Sequence, residues 1–101
     1  MYRSRIPLTR DELNRLRQEF YEKIERGELD IPEAIKAMRK LSRMTQIEFA
    51  EHRGVSLKVI QDIERGVGNP TVQSLNKIAD IFGVEVGFVR RRRSSRANPG
   101  A

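Results

Sequence analysis

Apolar residues recur every three or four positions along most of the chain, which is the spacing that places them on one face of a helix. The pattern predicts a first helix over residues 11–26 and a second that begins at residue 30 and includes Leu41. Three more helices are predicted over residues 45–54, 56–66 and 71–83. In the first helix we expect one stripe to be buried, formed by Leu13, Leu16, Phe20 and Ile24.

Capping residues mark several of the predicted helix ends. Thr9 stands three residues before Glu12, and Thr45 stands three residues before Glu48, which is the spacing of a capping box. Asp30 precedes a proline and a glutamate in the same way. Glycines follow four of the helices, at positions 27, 54, 66 and 83. These local signals support the helix boundaries independently of the apolar period.

After Gly83 the pattern changes from helical to alternating. Val84, Val86 and Phe88 occupy every second position, which is typical of a strand. A lone strand would leave its backbone groups unpaired, so we expect it to pair with the same strand of a second copy. In that antiparallel ribbon, Val86 and Phe88 would pack on the helices beneath, near Phe82. The expected fold is therefore all-α, with five helices and a short C-terminal strand that forms a homodimer.

The length of 101 residues is that of one compact domain. We divide the chain into an N-terminal arm with an extra helix (1–29), a core segment with the other four helices (30–83), a dimerisation strand (84–89) and a basic tail (90–101). The tail is expected to be disordered.

Composition argues against several classes of function. The chain has no cysteine and one histidine, His52, which leaves no basis for a metal site or for histidine-based catalysis. Its glycines lack the following Lys-Ser/Thr of a phosphate-binding loop. We therefore expect no enzymatic activity, no cofactor and no metal. No apolar run approaches the length of a membrane span and no secretory signal is visible, so the expected location is the cytoplasm.

Positive charge is concentrated at the two ends. The net charge is +6, yet residues 11–89 carry 12 basic and 14 acidic side chains. The remaining cations belong to two segments without acids: Arg3, Arg5 and Arg10, then Arg90, Arg91, Arg92, Arg93 and Arg96. Such arms are typical of a protein that contacts phosphates, in the DNA backbone or along the minor groove. A solvated tail, an anionic membrane surface and a nuclear localisation signal are the alternatives.

The third and fourth helices, joined by a turn at Gly54, fit a helix-turn-helix. In that motif the first helix crosses the DNA backbone and the second enters the major groove. At 100° per residue, the fourth helix divides into an apolar face with Val59, Ile60 and Ile63 and an opposite face. The opposite face carries Leu57, Lys58, Gln61, Asp62 and Arg65. An ordinary amphipathic surface helix would show the same division.

Residues 35–86 closely resemble the Cro/cI-type (XRE) helix-turn-helix family. The matching residues, with their spacings, are Arg39, Thr45-Gln46, Ala50, Gly54-Val55-Ser56, Ile60, Ile63-Glu64-Arg65-Gly66, Asn69-Pro70, Leu75 and Gly83-Val84. The resemblance implies a lambda-repressor-like bundle. It also implies a homodimer that binds a palindromic site in double-stranded DNA and represses transcription.

The resemblance implies roles for individual residues. Gln46 would contact phosphate or brace the recognition helix, and Ser56, Leu57, Lys58 and Gln61 would face DNA, with Arg65 on the same side. Arg39 and Glu64 would form a partly buried ion pair.

The chain departs from the family pattern at four positions. Arg43 stands where a glycine is frequent, and Arg53 replaces a usual apolar residue before the turn. Leu57 is apolar where polar residues are common, and Asp62 places an acid on the exposed face. These departures leave the recognised DNA sequence open.

A second interpretation is an antitoxin that binds a protein toxin and represses its own operon. Small antitoxins of the HipB kind resemble this chain in having a β-strand directly after five helices. In that case the extra helix 11–26 or the basic tail would hold the toxin.

Overall fold

The computed structural model describes residues 8–90, and this part of the chain forms five α-helices. Their bounds are Arg10–Glu25 (α1), Ile31–Leu41 (α2), Gln46–Arg53 (α3), Leu57–Arg65 (α4) and Val72–Ala79 (α5). A 3-10 turn over Asp80–Phe82 follows α5. The prediction of five helices is confirmed. The fifth helix differs in its last turn, which tightens to 3-10 geometry and so pairs backbone groups that an α-helix end leaves open.

Side chains at the N-termini fix where the first three helices begin. Thr9, Asp30 and Thr45 each accept a hydrogen bond from the backbone N–H three residues later, and the glutamate there bonds back to the cap. At the other end, α3 and α4 stop at glycines with left-handed backbone, at φ values of 70° and 75°. These contacts lie within a few residues of each other, which explains why the sequence pattern predicted them.

All five helices contribute to one apolar core. α4 packs against both α2 and α3, and α1 lies against α2. The buried side chains are Phe20, Ala34, Ile35, Met38, Leu41, Phe49, Ala50, Ile60, Ile63, Leu75, Ile78 and Ala79. The core thus holds α3 and α4 through their inner faces and leaves their outer faces to solvent.

The helix α1 docks through its C-terminal half. Phe20 is buried and meets the ring of Phe82 edge to face, with 5.5 Å between ring centroids. The Tyr21 hydroxyl donates a hydrogen bond of 2.7 Å to the Phe82 carbonyl. The expectation of a fully buried stripe is wrong at Leu16, which is 38% exposed. The contacts of α1 concentrate around Phe20 and Tyr21, so the preceding turns have less of the core to pack against.

The predicted strand over residues 84–89 is not formed, because no element among residues 8–90 offers it a ladder partner. The chain instead folds back on α5, where the Val86 N–H donates to Asn76 Oδ1 at 2.7 Å. Val84 packs against the core. Phe88, which was expected to pack near Phe82, is fully exposed. A two-stranded ribbon therefore has no counterpart in the fold of the single chain.

Replacing Phe20 by Ala should lower the free energy of unfolding by about 3–5 kcal/mol, because the change removes a buried ring and leaves a cavity between α1 and the 3-10 turn. Leu16→Ala is the matched control on the same helix and should cost less than about 1 kcal/mol. Urea denaturation of both variants measures the difference. Equal losses would contradict docking through Phe20.

Candidate nucleic-acid interface

The helices α3 and α4 form a helix-turn-helix around a short, hydrogen-bonded turn. Gly54 takes a left-handed conformation that side chains rarely adopt, and the Val55 N–H donates to the Ala50 carbonyl at 3.0 Å. The Ser56 hydroxyl then accepts the Val59 N–H at 3.2 Å and caps α4. The turn therefore sets α4 at a defined angle to α3 without help from a ligand.

A buried carboxylate on α4 ties this unit to the rest of the core. Glu64 accepts two hydrogen bonds from the guanidinium of Arg39 on α2, with Nε to Oε2 at 2.7 Å and Nη2 to Oε1 at 3.0 Å. Gln46, the first residue of α3, donates from Nε2 to Oε1 at 3.1 Å. The side chain of Glu64 is 3% exposed. One carboxylate thus joins α2, α3 and α4.

The electrostatic balance at Glu64 favours the charged form. Burial by itself raises the pKa of Glu64, but the hydrogen bonds from Arg39 and Gln46, together with the charge of Arg39, bring it below the ordinary value. The carboxylate is therefore ionised at neutral pH and its attraction to Arg39 is retained.

Arg39 also holds the loop between α2 and α3. Its Nη1 donates to the Met44 carbonyl at 3.1 Å. Arg43, next to Met44, has a φ of 60°, the left-handed region that favours glycine. This explains why a glycine is frequent here in the family that the sequence resembles. The chain accepts an arginine in a strained conformation, and the bond from Arg39 helps to hold the loop.

Two cations link the end of α3 and the turn to α5. Arg53 donates from Nη2 to the Lys77 carbonyl at 3.0 Å, and Lys77 donates from Nζ to the Gly54 carbonyl at 3.0 Å. Arg53 thus takes a specific structural role at the position where an apolar residue is usual. A Cβ at Gly54 would lie 3.2 Å from Cε of Lys77, and this flexible side chain could move aside, so the left-handed φ is what favours glycine here.

The outer face of α4 is polar and accessible. Ser56 and Arg65 lie exposed at its two ends, and Gln61 is half-buried between them. Lys58 is 82% exposed, and its Nζ lies 3.0 Å from Asp62 Oδ2. The surface offers hydroxyl, amide, ammonium and guanidinium donors together with a carboxylate acceptor, which are groups that bond to base edges and phosphates.

The other residues predicted to bind DNA differ in how exposed they are and in which groups they contact. Leu57 is half-buried and packs against the core, because its neighbours on the helix surface include Ile60 and Glu64. The amide of Gln46 is directed to Glu64. Arg90 is exposed. The remaining arm residues lie outside the described part of the chain: Arg3, Arg5, Arg91, Arg92 and Arg93.

Asp62 is a polar residue on this face for which the sequence pattern predicted no role beyond that of an acid on the exposed side of the helix. The available signal was its i,i+4 spacing from Lys58, which brings oppositely charged side chains together on a helix surface.

Two other features are absent among residues 8–90. Within residues 8–90, no cluster of His, Cys, Asp or Glu side chains is arranged to hold a metal ion. In the same region, no helix has both the length and the apolar character to cross a membrane.

A double-mutant cycle should show strong coupling between Arg39 and Glu64. At pH 7, Arg39→Met or Glu64→Leu alone should lower the free energy of unfolding by about 3–5 kcal/mol, since each leaves a buried partner uncompensated. The double variant should lose clearly less than the sum of the two. Urea denaturation of the four proteins measures this, and additive losses would contradict the coupling.

The same cycle has an expected pH dependence. Because the pKa of Glu64 is lowered in the folded chain, the unfolded chain binds this proton more readily. The stabilisation is complete above the ordinary carboxyl pKa of about 4.3 and is lost as the pH falls through the lower folded value. The coupling energy should therefore be smaller at pH 3 than at pH 7.

Comparisons with known proteins agree with this geometry. Residues 35–89 match the helix-turn-helix family. The chain is 33% identical over 61 residues to an "Immunity repressor protein" of Bacillus phage phi105, an alignment that covers 60% of this chain and 42% of that protein. It is 34% identical over 58 residues to the "Cryptic phage CTXphi transcriptional repressor RstR" of Vibrio cholerae, which covers 57% of this chain and 52% of that protein.

A third relative is an "Uncharacterized HTH-type transcriptional regulator MJ0272" of Methanocaldococcus jannaschii, 38% identical over 52 residues. That alignment covers 52% of this chain and 79% of the relative. The chain thus spans about half the length of the two phage repressors that it matches. No solved structure matches the chain. The matched segment contains α3, the turn and α4, and the chain belongs to the helix-turn-helix family, of the Cro/cI (XRE) type that its motifs resemble.

Proposed function

We propose that this chain is a transcriptional repressor that binds a palindromic site in double-stranded DNA as a homodimer, with α4 in the major groove. The observation that carries the proposal is the outer face of α4. It is polar and accessible, and its orientation is held from within by the bonds of Glu64 to α2 and α3. A rigid helix with free donors at its surface is what direct reading of base edges requires.

The relatives support the regulatory part of the proposal. Two of them carry the word repressor in their names and the third is described as a transcriptional regulator. Their aligned segments are about the size of the helix-turn-helix region of this chain. Repression by occupation of an operator is the simplest activity that a small DNA-binding unit can perform, because it needs no additional surface.

The distribution of charge supports different roles for the helix-turn-helix and for the two basic terminal segments. Residues 45–70 carry three basic side chains, Arg53, Lys58 and Arg65, against four acidic ones, which gives a formal net charge of −1. We therefore assign much of the attraction to phosphates to the basic segments 1–10 and 90–101, including Arg3, Arg5 and Arg90 through Arg93. The motif then supplies the base contacts.

The homodimer is proposed from the exposed apolar residues that follow Gly83. Val89 is 83% exposed and Phe88 is fully exposed in the single chain, while Val86 is also partly accessible. Contact between these residues and the same segment of a second copy would remove them from water. A two-fold dimer would present two α4 helices to half-sites about 34 Å apart on the DNA.

The antitoxin interpretation receives no support from the described residues. It depended on a strand directly after the fifth helix, and residues 84–90 form none. The extra helix that was to hold a toxin contributes Phe20 to the core and contacts Phe82. We therefore propose only the repressor.

Replacing Gln61 or Lys58 by Ala should weaken binding to the operator by about 1–3 kcal/mol and relax the preference at one base pair of each half-site. The operator is first isolated from a random duplex library with the wild-type chain, and affinities are then measured by fluorescence anisotropy at fixed salt. Lys23→Ala, which removes a cation from α1, is the control and should bind as the wild type does. If Gln61→Ala keeps both affinity and preference, the proposed orientation of α4 is wrong.

Replacing Phe88 by Ala should shift the chain from dimer to monomer in analytical ultracentrifugation and lower its affinity for the operator. The thermal stability of the single domain should not change, because the Phe88 ring is fully exposed. A proline at Val86 is a poorer test, since it also removes the N–H that bonds to Asn76. Ile31→Ala, another exposed apolar residue, is the control, and an unchanged dimer in Phe88→Ala would exclude this interface.

A further inference from the structure

We propose that Lys58 and Asp62 act together as a reading unit for one G·C base pair, so that Asp62 is a specificity-determining residue. The inference rests on the proposed function, because it requires α4 to lie in the major groove. It assigns a role in DNA reading to Asp62, although the negative charge of this side chain by itself disfavours DNA binding.

The two side chains form a donor–acceptor couple on the outer face of α4. Nζ of Lys58 lies 3.0 Å from Oδ2 of Asp62, and the residues are one helical turn apart. Lys58 is 82% exposed and Asp62 is 23% exposed, so the ammonium is the more accessible partner. An ammonium has three N–H donors, which allows Lys58 to keep its bond to Asp62 while it donates to a second acceptor.

Asp62 is the more buried member of the couple. Gly68, in the loop after α4, has a φ of 81° and lies against it: a Cβ at position 68 would be 3.5 Å from Cβ of Asp62. The loop thus covers one side of the Asp62 side chain and leaves the carboxylate directed toward Lys58. An acceptor that is held in place loses less conformational freedom when it binds a base.

The spacing of the couple matches the edge of a G·C pair. In the major groove, guanine O6 is an acceptor and cytosine N4 is a donor, and the Watson–Crick bond between them is about 2.9 Å long. Lys58 can therefore donate to O6 while Asp62 accepts from N4, with the two protein groups at the separation that they already have. Guanine N7, beside O6, offers Lys58 a further acceptor.

The same couple fits a T·A pair less well. Thymine O4 and adenine N6 repeat the acceptor and the donor, but their neighbours differ. Adenine N7 is an acceptor and would lie beside the carboxylate of Asp62, where two acceptors repel each other. The methyl group of thymine would stand where Lys58 finds N7 of guanine. Both differences favour G·C over T·A.

Asp62 also affects binding to DNA of other sequences. Specificity is a difference between two affinities, and a carboxylate beside Lys58 weakens the attraction of that lysine to any phosphate. On the cognate pair this cost is offset by the bond from cytosine N4. Removal of Asp62 should therefore lower discrimination while it raises affinity for random duplex.

The test compares the wild type with Asp62→Ala and Asp62→Asn. Each chain selects duplexes from a random library, and its affinities for the wild-type site, for a G·C to T·A variant of that site and for random duplex are then measured at fixed salt. Glu25→Ala, which removes an exposed acid from α1, is the control for the change in net charge. Thermal melting of all four proteins shows whether the fold is retained.

We expect the wild type to prefer G·C at one position of each half-site, by about five- to 150-fold over T·A. Asp62→Ala should lose most of this preference and bind random duplex more tightly than both the wild type and Glu25→Ala. Asp62→Asn should shift the preference toward adenine, which an amide reads through N6 and N7.

The reading unit and the proposed function are refuted by different results. If the wild type selects a site and Asp62→Ala selects the same site with the same ratio of specific to random binding, the reading unit is refuted and the proposed function stands. If the wild type selects no sequence, the proposed function is refuted, and this inference with it.

Discussion

The buried carboxylate of Glu64 is the constraint on which the geometry of this protein depends. A charge out of contact with water is costly unless hydrogen bonds compensate for it, and here the donors come from Arg39 on α2 and Gln46 on α3. The compensation is complete only when the three helices occupy their observed positions. The angle between α3 and α4 is therefore coupled to the packing of α2, and the outer face of α4 is held from behind. A surface that reads base edges benefits from such rigidity, because misplacement of a donor weakens its bond.

The helix α1 makes a second long-range contact, with the 3-10 turn at the end of the helical domain. Phe20 and Tyr21 contact Phe82 through a ring and a hydroxyl, so the first helix and the 3-10 turn hold each other in place. The family match begins at residue 35, and α1 is thus an addition that enlarges a small core. Enlargement matters in a chain of this length, since small domains bury a smaller fraction of their surface. The side of α1 that faces solvent is highly charged.

Charge is distributed unevenly along the chain, and this distribution underlies the proposed roles of its parts. The helix-turn-helix region has nearly balanced charge, while the two terminal segments are strongly basic. Attraction to phosphates is long in range and independent of sequence, so it does not require cations at fixed positions. Base reading is short in range and needs fixed donors and acceptors. In this chain the turn before α4 is held by Arg53 and Lys77, two cations that donate hydrogen bonds to backbone carbonyls.

The sequence by itself determined the helices of this protein, because their signals are local. The capping boxes at Thr9, Asp30 and Thr45 and the left-handed glycines act within a few residues, and the apolar period reports which face is inside. The resemblance of its motifs to a known family also predicted the helix-turn-helix. Only the tertiary structure decided that Leu16 is exposed, that Gln46 bonds to Glu64 and that residues 84–89 form no strand. Each of these outcomes depends on which distant residue is available as a neighbour, and alternation or periodicity along the chain carries no information about that.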